Sequence, residues 1–130
     1  MKITADIKLD LDLGKLDDIA EKAGRLAMRD TVVAAARKAV SRSPWLTGHN
    51  RRSICGEVSG MGYQAAGEEA TPEPVVDDNE IEGALFSTSG YGGYLETGTV
   101  KTDPRPYIKP SIDEEFTDSK FGQRMRRHME

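Results

Sequence analysis

Two hydrophobic periods succeed one another at the start of this chain, and the switch between them constrains the fold more than any other feature. Ile3, Ala5, Ile7, Leu9, Leu11 and Leu13 alternate with polar residues that include Thr4, Lys8, Asp10 and Asp12. A period of two belongs to a strand with one dry and one wet face. The charged face blunts edge-to-edge pairing, so a peripheral place in a sheet is expected, ending at Gly14. From Lys15 to Ser41 the pattern becomes helical, with Asp17 and Asp18 in the first turn and Arg37 and Lys38 near the end, as the helix dipole favours. Ile19, Leu26, Val33 and Val40 recur every seven residues beside a second seam of Leu16, Ala23, Asp30 and Arg37. In so short a helix this spacing predicts a face buried on a sheet rather than a coiled coil. The many alanines, Ala34 to Ala36 among them, favour helix and permit close approach by a neighbour.

Ser43-Pro44 stops the helix, and Thr47-Gly48 turns the chain into a strand from Ser53 to Ser59 carrying Ile54 and Val58. Only one side of that strand needs to be dry, since Ile54 and Cys55 point opposite ways. Residues 60–79 contain Gly60, Gly62, Gly67, Pro72 and Pro74, and acids at Glu68, Glu69, Glu73, Asp77 and Asp78 with no Lys or Arg. They read as a long loop or loose hairpin, with 67–80 a flexible acidic loop. Ile81 to Ser87 is the next strand, and Gly90 to Glu96 a compact turn or short helix. Pro104, Pro106 and Pro110 predict a stiff extended arm over 103–109, anchored by Tyr107 and Ile108, with Pro110 opening the last helix. On that helix Ile112 and Phe116 lie one turn apart on the buried side, and the basic end, Arg124 to His128, frays from about residue 122. The whole describes one α+β domain over 1–130: a small antiparallel or mixed sheet of three to four strands packed against one long helix, plus a C-terminal helix.

Composition excludes several function classes. A net charge of −4 gives no support to tight, non-specific nucleic-acid binding. The lone Cys55 leaves no intramolecular disulfide and fits a reducing compartment. No apolar run reaches membrane-spanning length, and the N-terminus shows no apolar signal core, so a cytosolic product is expected. No metal or cofactor is expected either. His49 follows a turn glycine, His128 sits near the chain end, and no Cys/His spacing suits zinc. Glu114-Glu115 and Asp77-Asp78 are adjacent pairs that do not converge on one site. Gly90, Gly92, Gly93 and Gly98 lack the Lys-Ser/Thr of a phosphate-binding loop, and serve turns instead. Glu96 reads as an acceptor for turn amides or for Arg105. Arg51, Arg52, Lys101, Arg105 and Lys109 form a basic set suited to a protein contact rather than a nucleic-acid groove. Trp45 is either a core lid or an interface anchor.

Three motifs remain. Pro44, Thr47, Gly48, Arg51 and Ser53 form the first; Tyr94 or Tyr91, Glu96, Gly98 and Thr99 the second; Arg105, Pro106, Tyr107, Ile108 and Pro110 the third. Together and in this order they resemble the minor tail and head–tail joining (tail-completion) proteins of lambda-like siphophages. That resemblance implies a small non-enzymatic α/β subunit of a virion neck or tail, assembled in the bacterial cytoplasm. It implies rings, commonly of six copies, touching neighbouring neck or tail proteins while DNA passes through without specific binding. The motif residues then serve structure or an interface, and there are no catalytic, cofactor or metal residues. The other reading from the sequence is a regulatory protein-binding module encoded on a phage or mobile element.

Overall fold

The computed structural model describes residues 4–9, 18–43, 50–72, 74, 76, 81–89 and 107–129. In chain order these form β1 (Thr4–Leu9), α1 (Asp18–Arg42), a 3₁₀ turn (Arg51–Ser53), β2 (Ile54–Val58), β3 (Gly62–Ala66), β4 (Ile81–Ser87), α2 (Ile108–Glu115) and α3 (Asp118–Met129). The strands make one sheet in the order β1-β4-β2-β3, antiparallel at every pairing. The chain passes from β1 through α1 to β2, and β4 inserts between those two strands. The sheet, long helix and C-terminal helical segment are those expected from the sequence, and β1 lies at an edge as its polar face implies.

What brings α1 onto the sheet is a set of small residues facing large ones. Gly56 of β2 and Gly83 of β4 lie opposite Val32; a Cβ on Gly83 would come within 2.6 Å of that valine, and one on Gly56 would overlap it. The arrangement is reciprocal further up, where a Cβ on Gly24 of the helix would meet Ile81 at 2.8 Å. Val32 and Met28 fill the space that the glycines leave, and the rest of the buried stripe of α1 is Ala23, Ala27, Ala35, Ala36 and Ala39. The expected seam is therefore corrected. Ile19 is 65% exposed and Val40 38%, while Leu26 and Val33 are only half-buried. The seven-residue apolar spacing lies along the side of the helix that the sheet does not use.

The core runs along α1 in two lobes. Towards its C-terminal end, Tyr107, Ile108, Ile54 and Leu85 pack on Ala35, Ala36 and Ala39. Towards its N-terminal end, Phe121, Val58 and Ile81 pack on Ala27, Met28 and Val32, and Ile112 touches both lobes. A third, smaller cluster lies on the opposite sheet face, where Cys55, Ala84 and Phe86 are covered in part by Ala70 and Val76. β2 and β4 are thus buried on both faces, and Cys55 is as dry as Ile54.

Three further expectations change. Of the long loop or loose hairpin expected over 60–79, residues 62–66 are a regular edge strand paired with β2, joined to it by a hairpin in which Gly60 and Gly62 take φ of 74° and 77°. Ile108 and Lys109 belong to α2, so the extended arm does not reach them. Pro110 sits in the first turn of α2, where its missing N–H costs nothing. The single C-terminal helix is two. Thr117 caps the second, its hydroxyl accepting from the Lys120 N–H at 3.2 Å, and the break lets Phe116 and Phe121 meet edge to face at 5.5 Å. α3 runs to Met129 and is hydrogen-bonded to α1 through Arg124 and His128.

Candidate interaction surface

The described members of the first and third motifs meet near the C-terminal end of α1. Ser43 closes the helix, its N–H donating to the Ala39 carbonyl at 2.8 Å. Asn50, 2% exposed, donates its amide to Ser43 Oγ at 2.8 Å and accepts at Oδ1 from the hydroxyls of Ser87 (2.6 Å) and Ser89 (2.7 Å). Arg51 donates through Nε to the Ser43 carbonyl at 2.9 Å. The Ser53 carbonyl accepts from both the N–H and the hydroxyl of Thr88. Below this knot Tyr107 and Ile108 are fully buried, and the Ser111 hydroxyl donates to the Tyr107 carbonyl. Every one of these contacts holds backbone or core. Pro44, Trp45, Thr47, Gly48, His49, Tyr94, Glu96, Gly98, Thr99, Lys101, Arg105 and Pro106 lie outside the described residues. Of the expected basic set, Arg52 pairs with Glu69 at 2.9 Å and Lys109 with Asp113 at 3.0 Å, while Arg51 bonds the Ser43 carbonyl, so the three described members serve separate contacts.

A second polar network joins the three helices. Glu115 is 5% exposed and accepts from Lys38 at 2.6 Å, Arg124 at 2.7 Å and Lys120 at 3.1 Å. Burial works against its ionisation, but the hydrogen bonds from Lys38, Arg124 and Lys120 outweigh it and hold the carboxyl at about 2. Arg124 also donates to Thr31 Oγ1 and to the Glu115 carbonyl. Arg42 reaches Ser111 and Glu114, and Lys38 reaches Glu114. At the far end His128 Nε2 lies 2.6 Å from Asp30. Burial opposes the ionised form of Asp30 as well, and its bonds to His128 and Arg29 bring its pKa below the usual value. A carboxylate held ionised by three cations is a fastener, not a proton donor.

The same helix has a third side. Leu26 and Met61 border a hollow of about 370 Å³ with Asp18, Glu21, Lys22 and Arg25 on its rim. Val33, Val40 and Arg37 border another of about 440 Å³, closed on its far side by Ala65 and Ala66 of edge strand β3. Both are shallow, lie on opposite ends of the exposed apolar stripe, and contain no converging acid, base and nucleophile. No group of three or more His, Cys, Asp or Glu capable of holding a metal occurs among the described residues. Cys55 is sealed in the core, and no described helix is long and apolar enough to cross a membrane. What this surface offers is apolar area edged with charges of both signs, a chemistry of contact.

The chain matches no known protein family, no curated protein and no solved structure. The likeness to phage joint proteins therefore rests on the three motifs. Residues missed at the sequence level are Asn50, Ser87, Ser89, Glu115 and Arg124. Asn50 stands inside the first motif, which was its only signal. Nothing in the run Asp113-Glu114-Glu115 distinguishes the buried acid from its exposed neighbours until α2 docks on α1.

Proposed function

We propose that this chain is a structural subunit of a phage head–tail joint or tail-completion ring and turns over no substrate. The observation that carries this reading is the ordered co-occurrence of three motifs. Their described residues support it: Ser53, Tyr107 and Ile108 are buried and spent on packing and backbone hydrogen bonds, as architectural residues are. An α+β subunit with a helix-covered antiparallel sheet is also compatible with ring assembly. Its partners would be copies of itself and adjacent neck or tail proteins, with its place in the virion. Purified particles test this directly. The protein is expected in them at ring stoichiometry, and a phage lacking it is expected to yield unjoined heads and tails. Its absence from particles, together with complete tails in the deletion, would reject the joint.

The two hollows along α1 favour one second reading, a regulatory protein-binding module from a mobile element. Such a module would be recovered bound to a host protein and not in virions.

A further inference from the structure

The sheet ends on one side at β3, the strand whose sequence does least to protect an edge. β1, at the other edge, carries Asp6 and Lys8, whereas Gly62, Tyr63, Gln64, Ala65 and Ala66 include neither charge nor proline. Gln64 is an extra residue in the pairing with β2, so the regular part of the edge is the stretch that follows it. There the Gly67 N–H donates to the Ile54 carbonyl. In the antiparallel alternation its neighbour Ala66, opposite Cys55, then turns its own N–H and carbonyl away from β2. Ala66 is exposed, and no other strand lies beyond it among the described residues.

The same stretch is one wall of the hollow of about 440 Å³ whose other wall is α1. Val33, Val40, Ile54 and Ala65 make its interior apolar. Arg37 stands exposed at its rim; among the described residues it makes no ion pair, and no carboxylate lines the hollow. The chain's own acids do not fill that role. After β3 the backbone stays along β2, the Gly67 and Glu69 N–H groups donating to Ile54 and Arg52, and the Glu69 carboxylate is held by Arg52 at 2.9 Å. Nor does β3 of a second copy fit. Opposite Val58 and Gly56, its helix-side residues are only Gly62 and Ala65, and it has no carboxylate to offer Arg37.

We propose that the open edge of β3 and this hollow together take up an extended segment of another protein, added to the sheet as a further strand. Its backbone pairs with the outward N–H and carbonyl of Ala66, an interaction that any extended segment can make. Selectivity comes from the helix side, where an apolar side chain enters the hollow between Val40 and Ala65. A carboxylate two residues away lies on the same side of such a strand and meets the Arg37 guanidinium. The chemistry recognised is thus apolar, polar, acidic in alternation. This contact goes beyond the joint reading and stands whether or not the chain forms a ring.

Magnetic resonance titration of the isotope-labelled full chain tests this with two capped peptides, Thr-Val-Thr-Leu-Thr-Glu-Thr and its reverse. Both carry the apolar and acidic residues on one side, in the two possible strand directions. One of them is expected to shift the amides of Gln64, Ala65, Ala66 and the α1 residues around Arg37 saturably, and to slow exchange of the Ala66 amide. Replacing its Glu by Lys is expected to weaken binding by about tenfold or more, and Arg37→Glu in the protein to reverse that preference. The melting temperature of the variant should not change, since Arg37 is exposed and unpaired among the described residues. Methylating alternate peptide nitrogens is expected to abolish binding in one frame and spare it in the other, because only every second N–H of an added strand faces the edge. No saturable shift with either peptide overturns the proposal, as do equal affinities for the Glu and Lys forms or methylation that acts alike in both frames. Shifts at Gln64 to Ala66 that follow protein concentration without any peptide would give the edge to a second copy and reject the partner segment.

Discussion

Tyr107 and Gly56 show how single positions carry this fold. Tyr107 is fully buried against Ala35, Ala36, Ala39 and Ile54, and its carbonyl caps the start of α2 through Ser111. Tyr107→Ala is expected to cost about 3–5 kcal/mol, read as a lowered midpoint in chemical denaturation, because the ring cannot be replaced by collapse of alanines. An unchanged midpoint would make the residue dispensable to the core. Gly56 has the opposite problem, since any side chain there enters the space of Val32. Gly56→Ala is expected to destabilise by about 1–3 kcal/mol through overpacking. Val32→Ala in the same chain is expected to recover part of that loss, and a strictly additive double mutant would refute the contact.

At the scale of elements, α2 and α3 are held to α1 by an ionised carboxylate as well as by apolar contact. Glu115 titrates at about 2 in the folded chain against an ordinary 4.5, so its contribution is fully present above pH 4.5. It is lost as pH falls from 4.5 through about 2, where the unfolded chain binds a proton that the folded one resists. Asp30, also lowered, adds in the same direction. As the carboxylate protonates, Lys120 and Arg124 lose its charge as a partner, while Lys38 keeps its contact with Glu114. Glu115→Gln is therefore expected to lower stability at neutral pH by on the order of 2–3 kcal/mol and to flatten the decline between pH 4.5 and 2. Thermal melts across that range check both, and an equally steep decline in the variant would assign acid sensitivity elsewhere. The alternative of a frayed C-terminus makes a different forecast, since amides of α3 would then exchange as freely as those of an unfolded chain.

For the whole molecule, charge is unevenly distributed along the chain: 67–80 carries six carboxylates and no cation, whereas the hollow at the N-terminal end of α1 is lined by both signs. Part of the acidic run is fastened: the Gly67 and Glu69 N–H groups donate to the carbonyls of Ile54 and Arg52, and Thr71 donates to Thr88 Oγ1. Amide exchange is accordingly expected to show protection at Gly67 and Glu69 that decays along the run towards residue 80. Uniform strong protection from 67 to 80 would indicate a folded hairpin. If the run lines a ring lumen, its charge offers DNA a repelling wall, and reversing Glu68, Glu69, Asp77 and Asp78 to Lys is expected to slow DNA delivery. Unchanged delivery with normal assembly would rule that out.

Local pattern alone determined much of this protein. The period of two at β1, the Ala-rich helix ending at Ser43-Pro44, the apolar runs of β2 and β4, and Tyr107 with Ile108 as buried anchors all follow from spacing and side-chain size. β3 was not legible, because Gly62, Ala65 and Ala66 have no strong strand preference and join the sheet only by pairing with β2. Nor was the side on which α1 is buried. Its larger residues recur at heptad spacing, but the glycines of β2 and β4 seat Val32 and Met28 beneath the helix, and the rest of its buried stripe is small. The burial of Glu115 likewise depends on three cations brought from α1 and α3, far from it in sequence or across a helix break. Pattern in a sequence records which residues are apolar. Which of them are covered depends on how near another element can come, and that distance is a property of the assembled chain.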